Sequence, residues 1–369
     1  MYIGILHDQA NREHRVSLTP DAVGSLVKSG HPVFIQENAG EDSGFHNGYY
    51  EEAGATIVYS REEVFERGDL ILKISPLSLN DTEYLRSGQT VFAFHHVAVA
   101  GSDVIAAMQE KQVTAIGMEI IEDETNELVI QTPISEIAGQ MSVHIGAHYL
   151  QNEQDGRGVL FGGIPGVPEA AIVIIGAGVV GIHATEAALG LGGHVVLLDH
   201  DVRKLRRASE LFGKRLTTGI VNNRNLDKAV RFADVLITAV LVHGARTPHI
   251  VTHDHVKSMK RRAVIVDVSI DQGGCVETSR PTSLAHPVFT EENVTHYCVP
   301  NMTSNVSRSA TYAITNSSLP YIQDIANLSL DDALKNNYAL RKGVYFYKGQ
   351  CALQSVAEYF NLNHEPMNL

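Results

Sequence analysis

The chain has 369 residues with 29 basic and 42 acidic side chains, a net charge of −13, and its length is more than twice the roughly 150 residues usual for one domain, which predicts two. With 44% hydrophobic and 19% charged residues it can bury sizeable cores and is not a disordered acidic chain. The acidity also excludes a general nucleic-acid binder and a protein of anionic membrane surfaces, since both need a basic face.

Residues 2–6 read as a strand, 20–29 as an amphipathic helix and 31–35 as the next strand. Further strands are expected at 70–74, 91–94 and 114–117, with helices at 62–67 and 102–111 between them. A helix at 135–150 and a glycine-rich passage at 156–166 precede a second βα series, with buried-strand candidates at 171–175, 195–198, 235–239 and 264–268. After Asn301 the chain reads as helical, at 310–325 and 329–340, and is too short to form a third domain, so it is expected to pack on the first. Cys275, Cys298 and Cys351 stand in no CxxC spacing, so neither a disulfide framework nor a metal site is expected. The first residues lack the profile of a secretory leader and no run of 18 apolar residues occurs, so a cytoplasmic, non-membrane protein is the expectation.

The strongest local signal is the strand Ile172-Val173-Ile174-Ile175 running into Gly176-Ala177-Gly178-Val179-Val180-Gly181 and an alanine-rich helix. In such a unit Gly176 permits a tight turn, Gly178 lets backbone approach a pyrophosphate, and Gly181 lets helix and strand pack closely. A second apolar strand ends in Asp199, 23 residues after Gly176, where an acid accepts hydrogen bonds from an adenosine ribose and repels a 2′-phosphate, so NAD is the expected cofactor. Arg203 could reach such a phosphate, or be a solvated helix residue. The bland alternative for the unit is a structural turn with Asp199 capping a loop.

Among 18 histidines, position selects His95 and His96, which follow the apolar run 91–94 at the carboxyl end of a strand, where α/β sheets place ligands. Histidine suits proton transfer near neutral pH, and because adjacent strand residues face opposite sides only one of the pair can serve a given cleft. Asp271 lies past the strand 264–268 and before Gly273-Gly274, near where a nicotinamide would sit, or else caps a loop.

Residues 11–20, NREHRVSLTP, with the segments at 132–139, 162–167 and 267–274, taken in order, resemble the alanine dehydrogenase and transhydrogenase superfamily. Residues 11–20, NREHRVSLTP, are similar to its NNExRVALTP; 132–139, TPISEIAG, to TPMSEVAG; 162–167, GGIPGV, to GGVPGV; and 267–274, DVSIDQGG, to DVAIDQGG. Ala39-Gly40, Ser43-Gly44-Phe45 and YCVPNM at 297–302 continue the likeness across nearly the whole chain. The resemblance implies an α/β fold of two Rossmann-like domains with parallel sheets. An NAD-binding domain at 131–304 would be inserted into a discontinuous substrate domain at 1–130 and 305–369. It also implies oxidative deamination of L-alanine to pyruvate and ammonia with NAD, the reverse amination, and a homohexamer. Arg15 would bind the substrate carboxylate, His96 rather than His95 would be the general acid/base, and Asp271 would orient or activate the attacking water. Ser135 and Asn301 would contact the cofactor together with Gly176, Gly178, Gly181, Asp199 and Arg203.

One departure bears on the substrate. Family members read KVKEP, with the second lysine on the substrate, whereas this chain has Lys73-Ile74-Ser75-Pro76. Aligned from the strand, Ser75 takes the substrate-lysine position; aligned from the proline, Lys73 does. On a continuing strand the two would share a face about 6.6 Å apart. Loss of a charge-assisted contact is worth roughly 1.5–3 kcal/mol, enough to weaken the site or change the substrate. The alternatives are therefore a related oxidoreductase for another amino or 2-oxo acid, and a transhydrogenase-like nucleotide-binding subunit.

Overall fold

A computed structural model describes residues 1–8, 12–242, 246–367 and 369; Asn11 of the first family-like segment lies outside them. The described residues divide into two units, Met1–Ile134 with Ser304–Leu369, and Ser135–Val242 with Arg246–Thr303.

In chain order the strands are β1 (Ile3–Ile5), β2 (Val33–Gln36), β3 (Thr56–Val58), β4 (Leu70–Leu72), β5 (Thr90–Ala93), β6 (Thr114–Gly117), β7 (Ala171–Ile175), β8 (His194–Asp199), β9 (Leu216–Ile220), β10 (Val235–Thr238), β11 (Val264–Asp267), β12 (Val288–Glu291), β13 (Val294–Tyr297), β14 (Val344–Tyr347) and β15 (Gln350–Cys351). The first unit holds an eight-stranded sheet ordered β15-β14-β6-β5-β4-β1-β2-β3. Strands β1 to β6 are parallel, and Ile3, Ile5, Leu70, Ile71, Leu72, Val91 and Phe92 are fully buried because helices cover both faces of such a sheet. Helices Arg61–Arg67 and Ser102–Glu110 supply Val64, Phe65, Ile105 and Met108 to its core.

The tail differs from the helical expectation. The expected helices are present as Ser307–Leu328, Leu330–Asn336 and Tyr338–Lys342, but beyond them Val344-Tyr345-Phe346-Tyr347 forms a strand antiparallel to β6 and turns back through β15, so the sheet is mixed. An aromatic and β-branched run favours a pleated, half-enclosed surface, and here all four residues are buried.

The second unit has a seven-stranded sheet ordered β12-β13-β11-β10-β7-β8-β9, parallel except for the edge strand β12. The β12–β13 hairpin turns through Glu292 and Asn293, both at positive φ (50° and 60°), a turn whose twist suits the flanking strands. Ignoring the antiparallel edges, both units have the order 3-2-1-4-5-6 of a doubly wound nucleotide-binding sheet. Among the described residues no helix is long and apolar enough to cross a membrane.

Candidate active site

In the second unit the carboxyl end of β7 is built for an anion. Gly176 adopts φ +107°, which its turn demands, and a Cβ on Gly181 would collide with the Gly176 carbonyl oxygen, so both positions exclude any side chain. Gly178 is the opposite case: nothing lies within 4 Å of where its Cβ would be. It precedes helix Val179–Gly190, whose first amides have no intrahelical acceptors and carry the positive end of the helix dipole. That open backbone is the cradle a pyrophosphate requires, and the residues present fit a dinucleotide.

Asp199 is buried at the end of β8, and its carboxylate accepts from Ala177 N at 2.6 Å and Asp201 N at 2.8 Å. The acid thus also staples the glycine turn, a role its sequence position did not disclose. Arg203 is exposed and turned back on Asp201, with NH2 to Oδ2 at 2.9 Å and Nε to Oδ1 at 3.2 Å. Asp201 itself caps helix Val202–Phe212 through Arg203 N.

Beyond β11, buried Asp267 organises the loop that carries Asp271. Its Oδ1 accepts from Thr238 Oγ1 at 2.6 Å and Ser269 N at 3.1 Å, and its Oδ2 from Cys275 N at 3.0 Å. Asp271 Oδ1 then accepts from Asn301 N at 2.9 Å, so two residues picked from separate motifs are joined here. Ser135 is buried in the helix Gln131–Tyr149, at the start of this unit.

In the first unit ionisable residues follow four neighbouring parallel strands: Asp8 after β1, Lys73 after β4, His95 and His96 after β5, and Glu119 after β6. Asp8 and Lys73 belong to one buried cluster. Lys73 Nζ donates to Pro76 O at 2.7 Å and lies 3.2 Å from Asp8 Oδ1 and 3.3 Å from Asp81 Oδ2, which gives each of its three N–H groups an acceptor. Arg61 pairs with Asp81 through Nε and donates from NH1 to His7 O at 3.0 Å. Burial alone would raise the Asp81 carboxyl, but Lys73 and Arg61 beside it bring it down to about 2. Ser75 N and Ile74 N both donate to Asp8 Oδ2, at 2.9 and 2.7 Å. Strand β4 stops at Leu72, so the shared-face spacing expected for residues 73 and 75 does not apply.

Arg15 lies on an extended segment held by the C-terminal part of the chain. His14 N donates to Ser304 Oγ at 2.8 Å, Val16 N to Thr311 Oγ1 at 3.2 Å and Thr19 N to Thr315 Oγ1 at 3.1 Å. The Arg15 guanidinium is buried against Glu13, with Nε to Oε1 at 2.7 Å and NH2 to Oε2 at 2.6 Å. Both cations expected at a substrate carboxylate thus have acidic protein partners, Glu13 for Arg15 and Asp8 with Asp81 for Lys73.

The two histidines separate cleanly. His95 is buried, its Nε2 faces Val91 O at 3.3 Å, and burial lowers its pKa to about 4 against the opposing pull of Glu119, which keeps it neutral near pH 7. His96 is only half-buried, sits at φ 45° and ψ 46°, and stacks on Phe94 with centroids 6.1 Å apart. Its Nδ1 is enclosed with no hydrogen-bond partner among the described residues. Glu119, which the sequence did not single out, takes both histidine amides; the available signal was an acid just past a buried strand end.

Comparison with known proteins shows the family of the chain. Family models described as "Alanine dehydrogenase/PNT" match through the N-terminal domain over residues 4–138 and the C-terminal domain over residues 142–354. Alanine dehydrogenases of Methanococcus maripaludis and Bacillus subtilis are 39% and 40% identical over 367 residues, covering 99% of this chain and 98% and 96% of theirs. A solved L-alanine dehydrogenase superposes with a TM-score of 0.90 at 40% identity, over 98% of this chain and 99% of its own. With two matched domains and likeness along almost the full length, the chain belongs to the alanine dehydrogenase/PNT family of nucleotide-dependent oxidoreductases.

Proposed function

We propose that this chain oxidises L-alanine to pyruvate and ammonia with NAD and catalyses the reverse amination. The second unit would bind the nucleotide and the first the amino acid. The observation that carries the reading is His96, a half-buried histidine at a strand's carboxyl end with an enclosed, unpartnered Nδ1, in a chain about 40% identical to alanine dehydrogenases throughout.

A bound nicotinamide would accept the hydride that leaves the substrate Cα. The residues around it would do the rest. Gly176, Gly178 and Gly181 would hold the pyrophosphate, Asp199 the adenosine ribose, and Ser135 and Asn301 further parts of the cofactor. Asp271, fixed by Asn301 N, would orient the water that adds to the iminium carbon, and His96 would take its proton. His96 returns that proton to the nitrogen, and as the C–N bond breaks and ammonia leaves, the added hydroxyl gives its own proton to His96 and becomes the pyruvate carbonyl. Of the two cations, Arg15 is the stronger candidate for the substrate carboxylate, because a planar guanidinium matches a carboxylate with two parallel hydrogen bonds. All three Lys73 donors are already taken. Homohexameric assembly and a cytoplasmic setting complete the proposal on the strength of the family likeness.

Steady-state assays of the purified protein over a panel of amino acids, each with NAD and with NADP, test the reading. Turnover highest with L-alanine and NAD is expected. Turnover with another amino acid and none with alanine would overturn it.

A further inference from the structure

We propose that Glu119 and Tyr345 are positioning residues for His96, forming a clamp that the chain's C-terminal hairpin completes. This rests on the reading of His96 as the acid/base. Glu119 is buried just past β6, and its two oxygens divide the work. Oε1 accepts from His96 N at 2.6 Å and from Tyr345 OH at 3.0 Å, and Oε2 accepts from His95 N at 3.2 Å. Two successive amides converge on this one carboxylate, which fixes the peptide units on either side of His95, and His96 follows them in a left-handed conformation. The left-handed conformation is uncommon for a non-glycine residue and persists only where its surroundings impose it. Here the carboxylate anchors the peptide unit that leads into His96, and with it the point from which the imidazole leaves the backbone.

Tyr345 reaches Glu119 through two local devices. Strand β14 pairs Val344 with Ile116 but Phe346 with Ala115, so the register slips at Tyr345. Such a bulge re-aims one side chain and is common beside active sites. The re-aimed ring crosses Gly117, where any Cβ would collide with it. The His95 ring meets the Tyr345 ring edge-on, with centroids 6.3 Å apart. Burial and the neighbouring Glu119 charge push the tyrosine pKa well above its usual value, so the phenol stays protonated and donates. The clamp grips backbone amides at the histidine rather than filling the core, so its loss should reach chemistry before stability.

The test is single-turnover hydride transfer from L-alanine to NAD in the full-length protein, alongside KM and Tm. Tyr345→Phe keeps the ring and removes only the hydroxyl. It should slow hydride transfer about tenfold, the equivalent of one good hydrogen bond, while KM stays within about twofold and Tm is nearly unchanged. Glu119→Gln removes the charge and should slow it further, and in both variants the amides at 95 and 96 should exchange hydrogen faster. A Tyr345→Phe rate within about twofold of the parent, or a loss shared equally with KM and Tm, overturns the clamp. His96→Gln is the independent control: a rate within about tenfold of the parent sinks the acid/base reading itself, whatever Tyr345→Phe does.

Discussion

The two units share one strand order and use it in opposite ways. In the second, the crevice between β7 and β10, where the order reverses, is lined by glycine: Gly176 lies against the Ala239 carbonyl and Gly178 faces open space. In the first, the equivalent place between β1 and β4 is filled by Asp8, Lys73, Asp81 and Arg61, two acids and two bases that satisfy one another. An open crevice offers unpaired amides to an anion, and a filled one has none to offer. In the first unit the proposed acid/base His96 and the Glu119 that binds its amide stand one and two strands away, at the ends of β5 and β6. Topology therefore nominates a location, and the side chains at the strand ends decide whether it binds anything.

The sharpest way to break this contrast is Lys73→Met. If the cluster is a structural plug, the variant leaves buried Asp8 and Asp81 undercompensated and should lose about 3–5 kcal/mol of stability, read from denaturant midpoints. Loss of alanine turnover at unchanged stability would instead make Lys73 a substrate ligand and the first crevice a working one.

A smaller effect concerns the plugged unit's acid limb. His95 has a pKa of about 4 in the fold against 6.5 ordinarily, so between these values the unfolded chain takes up a proton that the folded chain refuses. Stability from this group is full above 6.5 and falls as pH drops towards 4, by up to ~3 kcal/mol. His95→Asn should flatten the fall in Tm over that window. An unchanged slope would show that His95 titrates in the fold much as it does in the unfolded chain.

The smallest effects should mark the edge of the open crevice. Asp199→Asn should raise the KM for NAD roughly ten- to hundredfold, the range of one charge-assisted contact, and improve NADP relative to NAD. Arg203→Ala should leave Tm and the KM for NAD unaltered, because the Arg203 side chain is itself exposed and turned onto Asp201, a helix cap. A large rise in KM for NAD in Arg203→Ala, with Asp199→Asn silent, would reverse the assignment.

Legibility in the sequence followed distance along the chain. The glycine turn, Asp199 and the strand β7 lie within 29 residues, and both 3.6- and 2-residue periodicities are local properties. Arg15 and His96 were found through short motifs. Their supports were not: Glu119 meets Tyr345 across 226 residues, Asp8 meets Ile74 across 66, and Thr311 meets Val16 across 295. The hairpin at 344–351 was missed because four residues of aromatic and β-branched character are too short to distinguish a strand from a buried helix end.

What the sequence determined by itself was the two-domain α/β class, the nucleotide turn with its acid, and which histidines to consider, since each depends on residues that are neighbours in the chain. Only the tertiary structure showed His95 buried and His96 half-buried, gave Lys73 to Asp8 and Asp81, and joined Tyr345 to Glu119. Those outcomes depend on burial and on which distant groups share a low-dielectric space, where an unpaired charge is costly and each ion is held by the partner the fold brings to it.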